Sequence, residues 1–321
     1  MSQHFLLSAK ARTLSLVQVM RLSDVEAYET FKAIRWADNN GNPVCPRCGD
    51  CEAYEYRTRR VYKCKGCHAQ YSLTTDTIFA SRKMSLRDIL AAIAIFTNGA
   101  KGYSALQLSR DLDCQYKTAF VLAHKLREAI GAEFDGRTLS GEVEVDGAYF
   151  GGYVKPENVK ADRKDRRLRE NRTGKRRVVV IMRERNGKSF PFVCKTEDQS
   201  VGTIRERVMS GTTVYADEAS SWDALHASYD TRRVNHSIQF KDEDACTNQA
   251  ESYFSRLRRA EIGTHHHVSG QYLASYAREM AWREDYRRVP NGEQFGMIVA
   301  ATMAHSVSRQ WKGYWQRNVT H

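Results

Sequence analysis

Two Cys-x-x-Cys pairs near the N-terminus constrain the fold, because both pairs point to one metal ion. Fifteen residues separate the pairs, which are Cys45 with Cys48 and Cys64 with Cys67. Four thiolates complete the tetrahedral shell of a structural Zn²⁺ ion and leave no position open for water. Cys51 repeats the spacing after Cys48, but Gly49 fits the tight turn that follows a ligand cysteine, so Cys51 is interpreted as a bystander. The predicted zinc site therefore stabilises the fold and carries no chemistry.

The residues around the cysteines predict a zinc ribbon. Residues 53–63 alternate in polarity and are rich in Tyr and Arg, and residues 70–73 are also strand-like. Residues 23–36 carry apolar side chains at helical spacing, and the run Asn39-Asn-Gly-Asn-Pro43 ends that helix. A short helix thus leads into a small β-domain held together by zinc.

Three helical segments follow the ribbon. They are predicted at residues 86–100, 104–111 and 116–130, with a tight break before the last one. This order is similar to that of a helix-turn-helix, whose last helix contacts DNA. On this interpretation Lys117, Thr118 and Lys125 reach the DNA. The alternative is an ordinary three-helix bundle that packs on the ribbon, and the sequence leaves both open.

The charge of the chain indicates a polyanionic partner. The 321 residues carry a formal net charge of +12, and 41% are hydrophobic, which suffices for two or three folded units. No apolar run approaches the roughly 18 residues that a membrane span needs, and residues 1–12 lack the pattern of a secretory signal. We therefore expect a cytoplasmic, nucleoid-associated protein that binds nucleic acid.

The second half of the chain changes to strand periodicity. Strands are predicted at residues 142–146, 177–182, 190–195, 212–216 and 231–234. Helical patterns are predicted at residues 200–209, 220–229, 246–260 and 270–288. Three strands, then alternating helices and strands, and finally helices form the order of an RNase H-like α/β fold. An RNase H-like catalytic domain is therefore the predicted fold class.

Three acidic residues stand where such a sheet would present them to a ligand. Asp146 and Asp217 end predicted strands, and the turn-rich residues 147–152 would leave Asp146 open at the sheet edge. Glu251 borders the buried stripe of a predicted helix. Carboxylate oxygens suit hard divalent ions, and two Mg²⁺ ions, with Mn²⁺ as a substitute, can activate the attacking oxygen and stabilise the leaving one. Together the three acids predict a two-metal phosphoryl-transfer site.

Other polar residues near these acids admit more than one interpretation. Glu144 shares a strand face with Asp146, and Glu218 adjoins Asp217, so both compete for the same role. The histidines of this region could form a second metal site, but adjacent residues cannot all face one ion. We favour phosphate contact or support of the acids for the histidines. The supporting residues are then Asn248, His236, His265 and His266.

A basic segment lies between the first two strands of the predicted catalytic domain. Residues 155–177 contain eleven Lys or Arg residues against four acidic ones. Such a run is often only a solvated surface, but beside a nuclease-like site contact with the DNA backbone is favoured. The DNA-binding residues expected here and on the Glu251 helix are Arg163, Lys164, Arg166, Arg167, Lys175, Arg176, Arg256, Arg258 and Arg259.

Several short motifs follow one another along the chain. In the second half these motifs are Val143-Glu-Val-Asp-Gly-Ala-Tyr-Phe-Gly-Gly152, Tyr215-Ala-Asp-Glu218, Val234-Asn-His-Ser237, Thr247-Asn-Gln-Ala-Glu-Ser252, Gly263-Thr-His-His266 and Tyr276-Ala-Arg-Glu-Met-Ala-Trp-Arg283. In the first half they are Cys45-Pro-Arg-Cys-Gly49, Tyr62-Lys-Cys-Lys-Gly-Cys67, Gln70-Tyr-Ser72 and Gly102-Tyr-Ser-Ala-Leu-Gln-Leu-Ser-Arg-Asp-Leu112. In this order they resemble the motifs of bacterial insertion-sequence transposases of the ISXO-like group, relatives of the Merlin transposases. The resemblance spans residues 23–288 and is far more specific than any single motif.

The resemblance implies a DDE-type catalytic domain. Asp146 and Asp217 correspond to the first two acids, and Glu251 is taken as the third with Asn248 in reserve, because this group does not always use glutamate there. Such an enzyme binds the terminal inverted repeats of its element and joins them to target DNA. Two ends must meet, so a homo-oligomer of at least two subunits is expected.

The predicted organisation has five parts. They are an N-terminal helical segment (1–40), the zinc ribbon (41–80), a helical DNA-binding segment (81–135), the catalytic domain (140–290) with its basic insertion, and a C-terminal tail (291–321). Two other functions remain open at this point. One is a zinc-ribbon regulator with an inactive catalytic domain, and the other is a nuclease of the same fold that cuts without joining.

Overall fold

The computed structural model describes residues 4–152, 157–165, 168–171, 174–185, 187–217, 219–234 and 247–317. The chain forms two compact units. The first unit comprises Met1–Ala132 with Tyr286–His321, and the second comprises Glu133–Asp285. No helix within the described ranges has the length and apolar character to cross a membrane.

The first unit contains the expected zinc ribbon. Its three strands, β1 (Ala53–Tyr56), β2 (Val61–Cys64) and β3 (Gln70–Ser72), form an antiparallel sheet in chain order. Alternate residues of β2 point inward, because Tyr62 and Cys64 are buried while Val61 and Lys63 are half-buried. The Tyr62 ring packs between Trp36 and Tyr71, which gives this small sheet an aromatic core. The predicted strands are confirmed.

Five helices accompany the ribbon in the first part of this unit. They are α1 (Leu16–Met20), α2 (Asp24–Arg35), α3 (Leu86–Asn98), α4 (Ala105–Asp111) and α5 (Tyr116–Gly131). Ser23 and Glu26 form a capping box that starts α2. Helix α3 is buried on nearly all sides, which explains its Ala- and Ile-rich sequence. The predicted helices α2 to α5 are confirmed to within two residues at each end.

The second unit is a mixed α/β domain with one five-stranded sheet. Its strands are β4 (Glu142–Phe150), β5 (Arg177–Glu184), β6 (Ser189–Cys194), β7 (Thr213–Asp217) and β8 (Asp230–Val234). The spatial order is β6-β5-β4-β7-β8. Strand β5 is antiparallel to both β6 and β4, whereas β4, β7 and β8 run parallel to one another. Residues 178–182 of β5 are fully buried, as an inner strand covered on both faces requires.

One prediction about β4 is wrong. The residues after Asp146 do not turn away but continue the strand to Phe150, because β4 pairs with β5 as far as Phe150 and Arg177. The turn comes later, at Gly151 and Gly152, whose φ angles of +74° and +72° favour glycine. Asp146 therefore lies inside β4, at the point where the shorter neighbour β7 ends.

The helices of the second unit are α6 (Ser200–Arg207), α7 (Asn248–Ala260) and α8 (Leu273–Asp285). The predicted helix at residues 220–229 is a 3₁₀ helix over Ser220–Ala227. The apolar stripe of α7 is buried as predicted, through Ala250, Phe254 and Leu257. Helix α7 packs on β4 and β5, and α8 packs on α7, β5 and β6.

The end of the chain returns to the first unit. Helix α9 (Asn291–Ala304) packs on α2, α3 and α5, and the short α10 (Tyr314–Arg317) follows it. Ile298 and Val299 are fully buried. Trp311 stacks on His124 of α5, with 4.3 Å between the ring centroids. The segment expected as a tail thus supplies part of the core of the first unit.

Candidate functional site

The four predicted zinc ligands lie together in the ribbon. Their sulfur atoms all fall within 4.8 Å of one another, with 3.6 Å between Cys45 and Cys67 and 3.5 Å between Cys48 and Cys64. A tetrahedral ion with Zn–S bonds of about 2.3 Å places its sulfur ligands about 3.8 Å apart, so these cysteines fit Zn²⁺. Cys51 is exposed and lies outside the set, as expected.

Asp50 links the two cysteine loops. One carboxylate oxygen accepts the Glu52 amide at 2.9 Å, and the other accepts the Gly66 amide at 2.8 Å. An added Cβ at position 66 would lie 2.6 Å from that second oxygen, so any larger residue there would displace the Asp50 carboxylate. Burial opposes ionisation of Cys45, but hydrogen bonds from neighbouring backbone amides outweigh it and lower the pKa of this thiol to about 7. A backbone hydrogen bond from Cys67 lowers the pKa of Cys64, but burial and the neighbouring cysteines outweigh it and raise the value to about 12. A bound metal ion would favour the thiolate form of all four cysteines.

Asp146 and Asp217 lie side by side on parallel strands. The last recorded pair between β4 and β7 joins Val145 to Ala216, and each aspartate comes directly after it. Both side chains are half-buried. The structure therefore places these two acids side by side in the sheet, and their role as metal ligands stays a prediction.

Short hydrogen bonds orient both aspartates. The Asp146 carboxylate accepts the amide of Gly147 at 2.7 Å. One oxygen of Asp217 accepts the indole N–H of Trp222 at 2.7 Å and the amide of Ala219 at 3.2 Å. Because Trp222 is buried, its indole fixes the Asp217 side chain from inside the domain. Each aspartate keeps oxygen lone pairs for a further ligand.

Glu144 attaches α7 to the sheet. It is fully buried on β4, and one oxygen accepts the amides of Gln249 at 2.8 Å and Ala250 at 3.0 Å. First-turn amides of a helix have no partner within the helix, and the N-cap residue Thr247 offers none from its side chain. Burial raises the pKa of Glu144, and these hydrogen bonds oppose the rise. Glu144 therefore anchors the helix that presents the exposed Glu251.

Glu197 is a fourth acid at this site, which the sequence reasoning missed. Its carboxylate lies against Gly147, where an added Cβ would approach one oxygen to 3.0 Å. Ser221 donates to the other oxygen at 3.3 Å. Burial raises the pKa of Glu197, and the charge of Asp217 acts in the same direction. The available signal in the sequence was Gly147, directly after Asp146. A residue without a side chain leaves room for another group beside Asp146, but it does not show that this group is Glu197.

The charges of the four acids act on one another. Burial raises the pKa of Asp146 to about 7, and the charges of Asp217, Glu251 and Glu197 contribute to the rise. A divalent cation would relieve this repulsion, and carboxylate oxygens are the donors that Mg²⁺ prefers, so the residues fit this ion. Among the described residues, only the four cysteines place three or more ligand atoms within 4.8 Å of one another. The carboxylates of the four acids are more widely spaced.

The predicted DNA-binding residues are mostly exposed where the structure describes them. The exposed side chains are Lys117, Thr118, Arg163, Lys164, Lys175, Arg176, Arg258 and Arg259. Lys125 is half-buried. Arg256 donates to the buried Glu284 of α8 at 2.8 and 2.7 Å, so it joins two helices. Its contact with DNA stays a prediction, and Arg166 and Arg167 lie outside the described residues.

The supporting residues are placed in different surroundings. Asn248 is the first residue of α7 and is exposed. His265 ends a π-helical turn after α7, and its ring lies 4.6 Å from that of Tyr276 on α8. His266 is exposed and has a positive φ of 58°. His236 and the competing acid Glu218 lie outside the described residues, and the roles of all these residues stay predictions.

These features define a class: a zinc-ribbon protein with an α/β domain that gathers carboxylates at one point of its sheet. Residues 138–285 match the family model described as an ISXO2-like transposase domain, and residues 22–70 match that of a transposase zinc-ribbon domain. An uncharacterized protein in transposable element ISH50 of Halobacterium salinarum is 26% identical over 295 residues, which cover 88% of this chain and 98% of that protein. Residues 138–285 thus form an ISXO2-like transposase domain and residues 22–70 a transposase zinc ribbon, which confirms the resemblance drawn from the motifs.

Proposed function

We propose that this protein is a DNA transposase that binds the terminal inverted repeats of an insertion sequence and carries out Mg²⁺-dependent strand cleavage and strand transfer. The observation that carries the proposal is the carboxylate cluster around Asp146 within the residues that match a transposase domain. The strand order of the second unit supports an RNase H-like catalytic fold, with three antiparallel strands followed by two parallel ones.

Asp146, Asp217 and Glu251 are the proposed Mg²⁺ ligands. When bound, two Mg²⁺ ions would activate the attacking oxygen and stabilise the leaving oxygen of a phosphodiester. The chain itself holds the ligands in place: the Gly147 amide orients Asp146, and Trp222 orients Asp217. This preorganisation lowers the entropy cost of assembling the site. No protein nucleophile is needed, because water and then a DNA 3′ hydroxyl attack in turn.

DNA binding is proposed to involve both units. The ribbon and α5 would contact the terminal repeat, and the exposed cations before β5 and on α7 would contact the backbone near the acids. Phosphate contacts add affinity without sequence information, so this binding should weaken steeply with salt. Two ends must be brought together, so the active form is proposed to be at least a dimer, associated with the nucleoid.

Strand transfer of a labelled terminal repeat into a supercoiled plasmid tests the proposal. Wild type is expected to give labelled plasmid with Mg²⁺, and Asp217→Asn should give none. Asp230→Asn, at an exposed acid of the neighbouring strand β8, is the matched control and should retain activity.

The other two functions predict different products. Binding without cleavage by zinc-loaded wild type would favour a regulator. Cleavage without joining would favour a nuclease of this fold. Either result would overturn the transposase proposal.

A further inference from the structure

A groove in the first unit combines positive charge with aromatic walls. It has a volume of about 320 Å³ and lies between residues 79–89, the outer side of α5 and the segment that contains α10. Its charged lining residues are Arg82, Lys83, Lys117 and Lys125, and none of the described residues that line it is acidic. A lining of this kind selects an anionic ligand.

The aromatic side of the groove is fixed in place. Trp311 is buried against His124 and Phe120 of α5, which anchors the segment. The indole N–H of Trp315 donates to the backbone oxygen of Lys117 at 3.3 Å, and the Lys117 ammonium lies 5.1 Å from the Trp315 ring centroid. These contacts hold flat aromatic surface beside the cations, an arrangement that suits a ligand with both a planar ring and a negative charge.

Lys125 adds to the affinity of the groove for an anion. Burial lowers the pKa of its ammonium, and Glu128 on the next turn acts in the opposite direction. A phosphate in the groove would stabilise the charged ammonium further. Phe79, Ile89 and Leu122 supply an apolar floor, which favours a base over water.

The size of the groove decides between paired and unpaired DNA. A volume of about 320 Å³ is at the small end of ligand pockets, which span roughly 300–1,000 Å³. A base pair within a stacked duplex cannot enter such a space. A single base that has left the stack can enter it and lie against aromatic rings.

A second pocket extends the positive surface. It has a volume of about 260 Å³, is lined by Arg59, Arg60 and Arg82, and also has no acidic residue among its described lining. Arg82 lines both pockets, and its guanidinium donates to the Met84 carbonyl at 2.6 Å. The phosphate backbone of a nucleic acid can therefore run from one pocket to the other and stay in contact with positively charged side chains.

We propose that the groove binds one unpaired nucleotide of a DNA strand, with its base against Tyr314 and Trp315, while the neighbouring phosphates lie along the second pocket. The proposal rests on the proposed function only in that the strand is taken to belong to a DNA end. It adds Arg59, Arg60, Arg82 and Lys83 to the DNA-binding residues.

Fluorescence anisotropy of the full-length, zinc-loaded protein tests the proposal. The Asp146→Asn chain is used in Mg²⁺-free buffer, so that binding is measured without any reaction. Three labelled probes are compared. They are a blunt duplex, the same duplex with a short single-stranded overhang, and the same duplex with an overhang whose nucleotides lack their bases. Stacking of a base on an aromatic ring is worth about 1–3 kcal/mol, so the intact overhang should bind roughly fivefold to a hundredfold more tightly than the blunt duplex.

Variants of the groove should act selectively. Trp315→Ala should remove the preference for the overhang over the blunt duplex, whereas Trp315→Phe should retain that preference. Arg82→Gln should weaken binding and reduce the salt dependence by about one phosphate contact. Lys312→Gln, at an exposed cation outside the lining, is the charge-matched control and should preserve the preference for the overhang.

Three outcomes would overturn the proposal. Equal binding of blunt and overhang probes would show that no unpaired nucleotide is recognised. Equal binding of the intact and base-free overhangs would show that the groove contacts only the phosphates and not the base. Selective displacement of the overhang by an acidic peptide would assign the groove to a protein partner. Because none of these measurements needs catalysis, their failure is distinguishable from a failure of strand transfer.

Discussion

The most constrained single residue of the candidate site is Asp146. It lies within β4 rather than at its end, so its carboxylate is partly enclosed by the domain. Burial, together with three neighbouring acids, raises its pKa to about 7. An ionised carboxylate in such surroundings lowers the free energy of unfolding, and a bound cation would raise it again. This exchange of stability for metal binding is common at functional sites.

Asp146→Asn should therefore stabilise the metal-free protein while abolishing strand transfer. An aspartate in the unfolded chain has its ordinary pKa of about 3.8, whereas the pKa of Asp146 in the folded protein is raised to about 7. Between these values only the folded state holds the proton, so stability falls as pH rises, and the full penalty is present above about pH 7. We expect a gain of about 1–3 kcal/mol for the variant at alkaline pH.

Thermal unfolding in Mg²⁺-free buffer measures this effect. The advantage of Asp146→Asn should be larger at pH 8 than at pH 5, and adding Mg²⁺ should stabilise wild type more than the variant. A variant that is less stable than wild type at pH 8 would contradict this account of the site.

Asp50 gives a second prediction at the scale of one residue. Asp50→Ala leaves the Glu52 and Gly66 amides without their carboxylate and should weaken zinc binding, because such charged hydrogen bonds contribute about 1.5–3 kcal/mol. Faster transfer of zinc to a colorimetric chelator is the expected result. Cys51→Ala, at the exposed cysteine outside the metal set, is the control and should release zinc at the wild-type rate.

At the scale of elements, the position of α7 depends on a residue of a strand. Glu144→Ala should release the first turn of α7 and raise the Mg²⁺ concentration needed for half-maximal strand transfer, because Glu251 is then held less firmly. Glu144→Gln keeps an acceptor oxygen for the two amides and should restore most of the Mg²⁺ affinity. Unchanged Mg²⁺ dependence in Glu144→Ala would refute this positioning role.

The matched control for Glu144 lies two residues earlier. Arg185 pairs with both acids, with Glu144 at 3.4 Å and with Glu142 at 2.7 Å. The Glu142 side chain is about half exposed, and its hydrogen bond goes to Arg185 rather than to α7. Glu142→Gln should therefore leave the Mg²⁺ requirement unchanged. A shift as large as that of Glu144→Ala would assign the effect to Arg185 rather than to α7.

The elements themselves were largely predictable from the sequence. Strand alternation and the capping signals predicted the ribbon, the helices α2 to α5 and all five strands of the sheet. Asp217 lies at the end of its strand as predicted, whereas Asp146 lies inside β4. The extension of β4 was not predictable, because Gly147 resembles a turn residue and only the pairing with β5 shows otherwise. Glu197 and the capping role of Glu144 depend on tertiary contacts, which local periodicity does not contain.

At the scale of the whole molecule, the first unit is built from both ends of the chain. The sequence suggested a tail after residue 290, because α9 is separated from the ribbon by the entire α/β unit. Contacts so distant in sequence leave no periodic signal. They mean that residues 286–317 stabilise the ribbon-containing unit, so changes in α9 or α10 should affect the N-terminal part of the protein.

Two units with separate cores should unfold in two transitions during calorimetry. Ile298→Ala removes a fully buried side chain of α9 and should cost about 2–5 kcal/mol, lowering only the transition of the first unit. Removal of zinc by a chelator should lower that same transition, because the metal contributes to its folding. Ile181→Ala, at an equally buried position of β5, is the matched control and should lower only the other transition. If each variant instead shifted a single common transition, the two units would unfold as one cooperative body. The first unit would then have no stability of its own that is separate from that of the second.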